Sequence, residues 1–475
     1  MTAHPDAAVL DRLRQAVGPA GLLEGPADTE PFRTSFGATF RGEAALVLRP
    51  ASTQEVAEVV RLCAEARIAI VPQAGNTGLS GGAQPDGSGT AVILSVDRMR
   101  KVRAVDVAND TLTVEAGVTL AEVQAEAERV DRLFPLTLAS EGSCRIGGNL
   151  ATNAGGTQVL RYGNMRELAF GLEVVLPDGR IWNGLSRLRK DNTGYALKDL
   201  FIGAEGTLGI ITAAVLRLFP APRARATALL GIADPETALS LFRRLRNAAG
   251  DSLTGFEIMP DFGLEIVLKH MPGSVRPLAE RHAWYVLAEL TSTRPNDDLS
   301  QLALDTFEAA FEAGEIEDAV VGSSEAQCDA LWKLREDMSD AQKFEGGSIK
   351  HDVSVPVSKV PYFIAEANRL CEAHMPGIRI CAFGHMGDGN IHYNLSQPEG
   401  MDKAAYLATW EEFNRIVHDL VASLGGSISA EHGIGILKRE ELPMYKDKVA
   451  LDVMAAIKRA IDPRGLANPG KVLMD

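Results

Sequence analysis

The sequence of 475 residues is short of cysteine, of net positive charge and of long apolar runs, and each shortage narrows what the chain can be. Its five cysteines, Cys63, Cys144, Cys328, Cys371 and Cys381, are odd in number and scattered, with no C-x-x-C pair. That fits reduced thiols in a cytoplasmic protein better than a disulfide framework or a thiolate zinc site. Lys and Arg number 48 against 63 Asp and Glu, so the formal charge is −15 and the pI near 5.2. This balance argues against nucleic acid or an anionic membrane as partner. No apolar run approaches the roughly 18 residues that a membrane span requires. The opening "MTAHPDAAVLDRLRQ" has no basic stretch followed by an apolar one, so no secretory leader is expected. Fixed-period repeats and low-complexity tails are missing as well. What is there, 46% hydrophobic and 23% charged residues, reads as a globular chain with a large core. Its length suggests two or three domains of about 100–200 residues each.

Along the chain, "AALVLRP" (44–50) reads as a strand, and Ser52 with Glu55 opens a helix through Val56, Val59, Val60 and Cys63. "IAIVP" is a second strand that Pro72 is expected to end, followed by the loop "QAGNTGLSGGAQPDGSG" and the strand "TAVILSV". Glycine stays dense through "GSCRIGGNLATNAGG" (142–156), and Asp178-Gly179 signals a hairpin after "FGLEVVLP". "IGAEGTLGIIT" then leads into an apolar strand that stops at Pro220 and Pro222. From about 224 the composition shifts to longer helical patterns, among them "PETALSLFRRLRNAAG" and "EAQCDALWKLREDMSDAQKF", alternating with strands such as "HAWYVLAEL". Glycine-rich sequence returns at "GGSISAEHGIGILKR" (425–439). The fold expected is α+β, with an N-terminal domain over 1–222, an inserted α+β domain over 223–424, and a C-terminal return over 425–475.

A glycine-rich loop after a strand exposes backbone N–H groups and lets them approach a phosphate with no Cβ in the way. Segment 75–82 suits that role. It is neither a P-loop, since no Gly-Lys-Ser/Thr follows, nor a dinucleotide fingerprint opening a helix. Three such segments (75–82, 142–156 and 203–209) point to an extended, phosphate-bearing ligand.

The second constellation is "GHMGDGNIHYN" (384–394). If 391–395 is a strand, His392 and Asn394 share a face and Ile391, Tyr393 and Leu395 the other, while a glycine turn can fold His385 onto the first. "SAEHGIG" adds Glu431 beside His432. Two histidines and a carboxylate compose a catalytic zinc site or a non-haem iron site. The spacing is not diagnostic, and on the residues alone structural histidines or a lone base account for the pattern better than a metal does.

"PQAGNTGLSGG", "GSCRIGGNLATNAGG", "IGAEGTLGIIT" and the terminal "LANPGKVL" together resemble the FAD-binding domain of the vanillyl-alcohol oxidase-type flavoproteins. The resemblance implies a two-part FAD-binding domain with an inserted cap domain. It places Gly75, Asn76, Thr77, Gly78, Ser80 and Gly81 at the pyrophosphate, with Pro72 also at the FAD. Gly142, Ser143, Gly148, Asn149, Thr152, Asn153, Gly155, Glu205, Gly206, Gly209, Ile211 and Asn468 would line the rest of the FAD. With no histidine in the first loop, and Cys144 read as a small buried apolar side chain, the FAD is expected to be non-covalent.

"HMGDGNIHYN" with "SAEHGIG" is similar to the subgroup oxidising D-2-hydroxy acids, such as D-2-hydroxyglutarate, D-lactate and glycolate. That similarity implies Zn2+ on His385, His392 and Glu431, with His432 as the base beside the flavin. "LRE…S…IKHDVSVP" resembles the members acting on D-2-hydroxyglutarate, which implies that Arg335, Ser339 and Lys350 hold the distal carboxylate. Ser339 stands where a threonine is common in that subgroup. Asn394 would reach the carboxylate on the metal side. Read without the resemblance, Trp332, Arg335 and Ser339 share a helix face that a solvated charged surface also explains. A monocarboxylate such as D-lactate or glycolate is the alternative substrate. An external acceptor, an electron-transfer flavoprotein or a quinone, and a homodimer are the partners the resemblance implies.

Overall fold

The structure, a computed structural model, describes residues 5–474; the first four residues, on which part of the leader reading rests, and the last lie outside it. The chain divides into two compact units. One comprises Met1–Gly155, Gly163–Pro220 and Glu431–Asp475, and the other Gly156–Tyr162 and Ala221–Ala430.

In the first unit a four-stranded sheet runs Leu22–Leu23, Leu46–Leu48, Val92–Ser95, Ile70–Gln73, its last three strands parallel. The helix Thr53–Ala66 connects two of them. Ser52 caps it by accepting the Glu55 N–H, and it buries Val56, Val59, Val60 and Cys63 against the sheet. Pro72 does not end its strand, as expected from the sequence, but sits within it. Ile70–Gln73 is the outermost strand of this sheet, where a proline's missing N–H removes no ladder bond. The chain's C-terminal segment returns to the same strand: the Ile70 N–H donates to the Leu466 carbonyl and the Asn468 N–H to the Ile70 carbonyl. A second, antiparallel sheet has the order Val102–Asp106, Thr111–Glu115, Ile210–Arg217, Ala169–Val175, Ile181–Gly184. Its last two strands form the hairpin turned at Gly179, whose φ is +87°.

The second unit is built on a seven-stranded sheet in the order Asp318–Val321, Ala224–Ile232, Trp284–Ser292, Leu253–Pro260, Arg379–His385, Asn390–Ser396, Ser348–Ser354. Ile349, Val353, Ile391, Tyr393 and Leu395 point from its last strands into an apolar core with the helices Val360–His374 and Trp410–Ser423. Period-two alternation therefore sends Lys350, Asp352, His392 and Asn394 to the opposite face. The helical pattern after Glu325 is broken into Glu325–Glu336 and Met338–Ala341, followed by a short 3-10 turn. Among the described residues no helix is long and apolar enough to cross a membrane.

Candidate active site

The first unit holds a groove with roughly 950 Å³ of space free of protein atoms, part of it continuous with solvent. Its wall gathers the three glycine loops. Pro72, Gly75, Asn76, Thr77, Gly78 and Ser80 come from the first, Gly148, Asn149 and Thr152 from the second, and Glu205, Gly206, Gly209 and Ile211 from the third. His432 lies in the same wall.

The glycines are required by close approach. A Cβ on Gly75 would stand 2.5 Å from the Ser143 carbonyl oxygen, and one on Gly206 2.4 Å from the Pro72 ring. A Cβ on Gly78 would meet nothing within 4 Å and would project into open space beside the backbone of the first loop. Asn76 is committed to the fold: its amide donates to the carbonyls of Pro31 and Thr34, both at 2.9 Å, and its φ is +54°.

Six other residues expected at the FAD stand outside this wall. Gly81 packs on Phe40, Gly142 and Ser143 are exposed, the Asn153 oxygen accepts the Arg166 N–H, and Gly155 is buried. Asn468 stitches two loops together by donating to the carbonyls of Gly82 and Glu205. The sequence reading missed Arg145, a half-buried cation in the wall, and Phe201. Cys144 is buried, and that burial pushes its thiol pKa up, as suits an inert side chain.

Glu205 has a different task from the one expected. It is buried, and its two carboxylate oxygens accept the N–H groups of Ile434 at 2.7 Å and Gly435 at 2.8 Å. Ser80 donates its hydroxyl to the His432 carbonyl at 3.0 Å. Both side chains thus clamp the loop that carries His432. The wall's one carboxylate therefore turns its oxygens to N–H donors, and Arg145 adds positive charge, so the residues present fit a pyrophosphate-bearing cofactor.

The second unit carries the two histidines of the other constellation on its sheet. The His385 and His392 rings lie 5.4 Å apart, nearly perpendicular. His385 Nδ1 hydrogen-bonds Glu257 Oε1 at 2.7 Å, so a metal would be ligated through Nε2. Asp352 lies 3.8 Å from His392 Nδ1, and its carbonyl accepts the N–H of Ala430, the residue before Glu431. Ala430 is the last residue of this unit, and Glu431 follows it in the chain. Two neighbouring imidazoles, one with its tautomer fixed by the Glu257 carboxylate, are donors of the type that zinc takes.

Arg335 is buried, unlike a solvated helix-face residue. Its Nε donates to Glu257 Oε2 at 2.7 Å, its guanidinium lies 4.6 Å over the Phe383 ring, and its Nη2 has no hydrogen-bond partner. Burial would raise the Glu257 carboxyl, but His385 and Arg335 outweigh it and hold it well below the usual carboxylate range. Lys350 reaches solvent and has no hydrogen-bond or ion-pair partner among the described residues. The protein around it disfavours its charge, Lys343 adds like-charge repulsion, and its pKa is lowered. Asn394 is buried and donates to Gln342 Oε1 at 2.8 Å, while Ser339 is exposed beyond the helix break at Asp337. The sequence reading missed Glu257 and Gln342. Glu257 had a signal, an acid in the middle of the apolar strand "LTGFEIMP".

Comparison with known proteins adds family information. Residues 44–184 match the model of an FAD binding domain, and residues 221–472 the model of the FAD linked oxidases, C-terminal domain. The mitochondrial D-2-hydroxyglutarate dehydrogenase of Bos taurus is 37% identical over 473 residues, 100% of this chain and 84% of that protein. D-2-hydroxyglutarate dehydrogenase of Xanthomonas citri pv. viticola is 37% identical over 460 residues, 97% of this chain and 96% of that one. The crystal structure of p-cresol methylhydroxylase with substrate bound superposes with a TM-score of 0.76 at 18% identity, over 98% of this chain and 96% of that chain. At that identity the likeness speaks for the fold alone.

Proposed function

We propose, for a chain that belongs to the FAD-linked oxidases and is an FAD-dependent D-2-hydroxy-acid dehydrogenase, that its substrate is D-2-hydroxyglutarate and its product 2-oxoglutarate. The observation that carries this reading is the buried Arg335, whose Nε is held by Glu257 while Nη2 lacks a protein acceptor. A buried guanidinium N–H without an acceptor is costly, and a carboxylate satisfies it. Lys350, a second unpaired cation two strand positions from Asp352 on the same face, supports a dicarboxylate over D-lactate or glycolate. The names of the bovine and Xanthomonas relatives agree with it.

In this reading Arg335 and Lys350 bind the distal carboxylate, with the Ser339 hydroxyl as an added donor. Asn394, its amide oriented by Gln342, faces the carboxylate next to the reacting carbon. His432 receives the hydroxyl proton, and Glu205 and Ser80 hold its loop against the first glycine loop. Gly75, Gly78 and Arg145 serve the pyrophosphate of a non-covalent FAD, and His385, His392 and Glu431 are the ligands for Zn2+. Bound FAD supplies hydride acceptance from C2. Bound zinc supplies polarisation of the hydroxyl, lowering its pKa. The domain layout expected from the sequence, an FAD-binding part over 1–222 and 425–475 with a cap over 223–424, is retained as a division of labour. Electrons leave to an external acceptor, an electron-transfer flavoprotein or quinone, and the assembly is a homodimer. Five free cysteines, all buried, suit a cytoplasmic setting.

The test is anaerobic. D-2-hydroxyglutarate, D-lactate, glycolate and the L-isomers are added in turn and the flavin absorbance followed. Fast bleaching by D-2-hydroxyglutarate alone is expected. Faster bleaching by D-lactate or glycolate would overturn the roles of Arg335 and Lys350.

A further inference from the structure

Glu257 is fully buried at the centre of the second unit's sheet and spends its two oxygens on two different residues. Oε1 meets His385 Nδ1 and Oε2 meets Arg335 Nε, both at 2.7 Å. In the sheet Glu257 and His385 are direct cross-strand partners, so backbone register sets their pairing. A carboxylate kept only to neutralise Arg335 would favour a two-pronged bond with the guanidinium. Here a single bond at Nε and the Phe383 ring beneath orient the guanidinium plane, and Nη2 is left with no acceptor. Phe383 also packs on His392, at 5.3 Å between ring centroids.

We infer that Glu257 is a positioning residue that couples zinc ligation at His385 to recognition of the distal carboxylate by Arg335. The inference rests on the functional reading above and extends it to a residue that reading does not place on substrate or metal. By accepting the Nδ1 proton, Glu257 selects the tautomer whose Nε2 lone pair can ligate, and its charge makes that nitrogen a better donor. By offsetting the Arg335 charge, it lets a buried cation persist until an anionic ligand arrives. When a dicarboxylate shares the guanidinium, the balance of charge on Glu257 changes, and the ligating strength of His385 changes with it.

The test measures zinc affinity of the FAD-loaded protein by competition with a chelator, with and without glutarate, a five-carbon dicarboxylate that has no hydroxyl to oxidise. In the wild type, glutarate should shift zinc affinity several-fold. In Glu257→Gln, zinc should bind about 10- to 100-fold more weakly, and the glutarate shift should vanish. Because Glu257→Gln leaves Arg335 buried without an anion, Glu257→Gln with Arg335→Met is measured alongside it. The double variant should recover thermal stability but not zinc affinity, whereas Arg335→Met alone should keep zinc affinity within a few-fold. Wild-type zinc affinity in either Glu257 variant would reduce Glu257 to a structural ion pair and overturn the inference alone. A wild-type protein that takes up no zinc would overturn the proposed metal site together with it.

Discussion

The clamp on the His432 loop lends itself to a quantitative test through Glu205→Gln. The substitution keeps the shape of the side chain, removes its charge and turns one acceptor oxygen into an NH2 donor. In the native protein the two oxygens accept from Ile434 and Gly435 at 2.7 and 2.8 Å, so Gln leaves one of these N–H groups facing another donor. A hydrogen bond to a charged group contributes about 1.5–3 kcal/mol, and an orphaned buried donor costs about 1–3 kcal/mol. Burial works in the other direction: it disfavours the Glu205 charge and raises its pKa, so loss of the charge relieves part of that penalty. A net loss of about 2 kcal/mol follows, equivalent to a roughly 30-fold shift away from the docked loop. The loop lies close against the first glycine loop at this point, where a Cβ on Gly435 would stand 2.0 Å from the Ser80 carbonyl oxygen. Stopped-flow reduction of the bound flavin by D-2-hydroxyglutarate, without oxygen, should slow by up to about 30-fold while the FAD stoichiometry stays at one. Full reduction rate with the FAD retained would refute the clamp. Loss of FAD instead would return Glu205 to the cofactor-contact role expected from the sequence.

The remaining predictions address the base, the carboxylate pocket, the groove and acid stability. His432→Ala should slow flavin reduction by at least about 100-fold and leave FAD bound; an unchanged rate removes it as the base. Arg335→Ala would leave Glu257 short of a buried partner, at a cost of about 3–5 kcal/mol, so Arg335→Lys is the sharper probe. It keeps a cation but loses the fork, and should raise KM for D-2-hydroxyglutarate about tenfold or more while D-lactate turnover barely changes; equal losses on both acids would sink the distal-carboxylate role. Gly75→Ala must push the backbone at Ser143 away and should purify with little FAD, so full FAD occupancy by absorbance would contradict the close approach. Glu345 is surrounded by Lys269, His270 and Arg379, and although burial raises its pKa these partners outweigh it and hold it at about 2. With the folded pKa below the unfolded value of about 4.3, its stabilisation is complete above that pH and lost as pH falls toward 2. Glu345→Gln should therefore have a lower Tm at pH 7, and the gap should narrow below about pH 4; parallel Tm–pH curves would refute this.

Local signals in the sequence carried well because their causes are local. Ser52 caps the helix after it, Asp178-Gly179 turns a hairpin, and strict alternation in "NIHYN" assigns His392 and Asn394 to one face. Pro72 misled because the cost of a proline depends on whether its strand has a neighbour on that side, which is a property of the sheet and not of the dipeptide. The helix expected through Ser339 breaks at Asp337, so Ser339 does not continue the buried face of Trp332 and Arg335. Asn76 and Asn468 read as cofactor donors from their loops, yet their amides are taken up by carbonyls of distant segments that no local pattern announces.

The sequence by itself determined the chemistry on offer: three glycine loops free of Cβ atoms, a histidine-rich turn, an acid beside a histidine, and cations near a serine. Composition and spacing are enough for that, because residue type decides what can ligate, donate or leave room. Only the tertiary structure decided how those groups are aimed. Glu257 and His385 lie 128 residues apart in the chain and become partners through strand register, and Glu205 reaches 229 residues forward to Ile434. Orientation of a buried charged group is set by the few donors and acceptors that surround it after folding, since water is no longer there to satisfy whatever is left over.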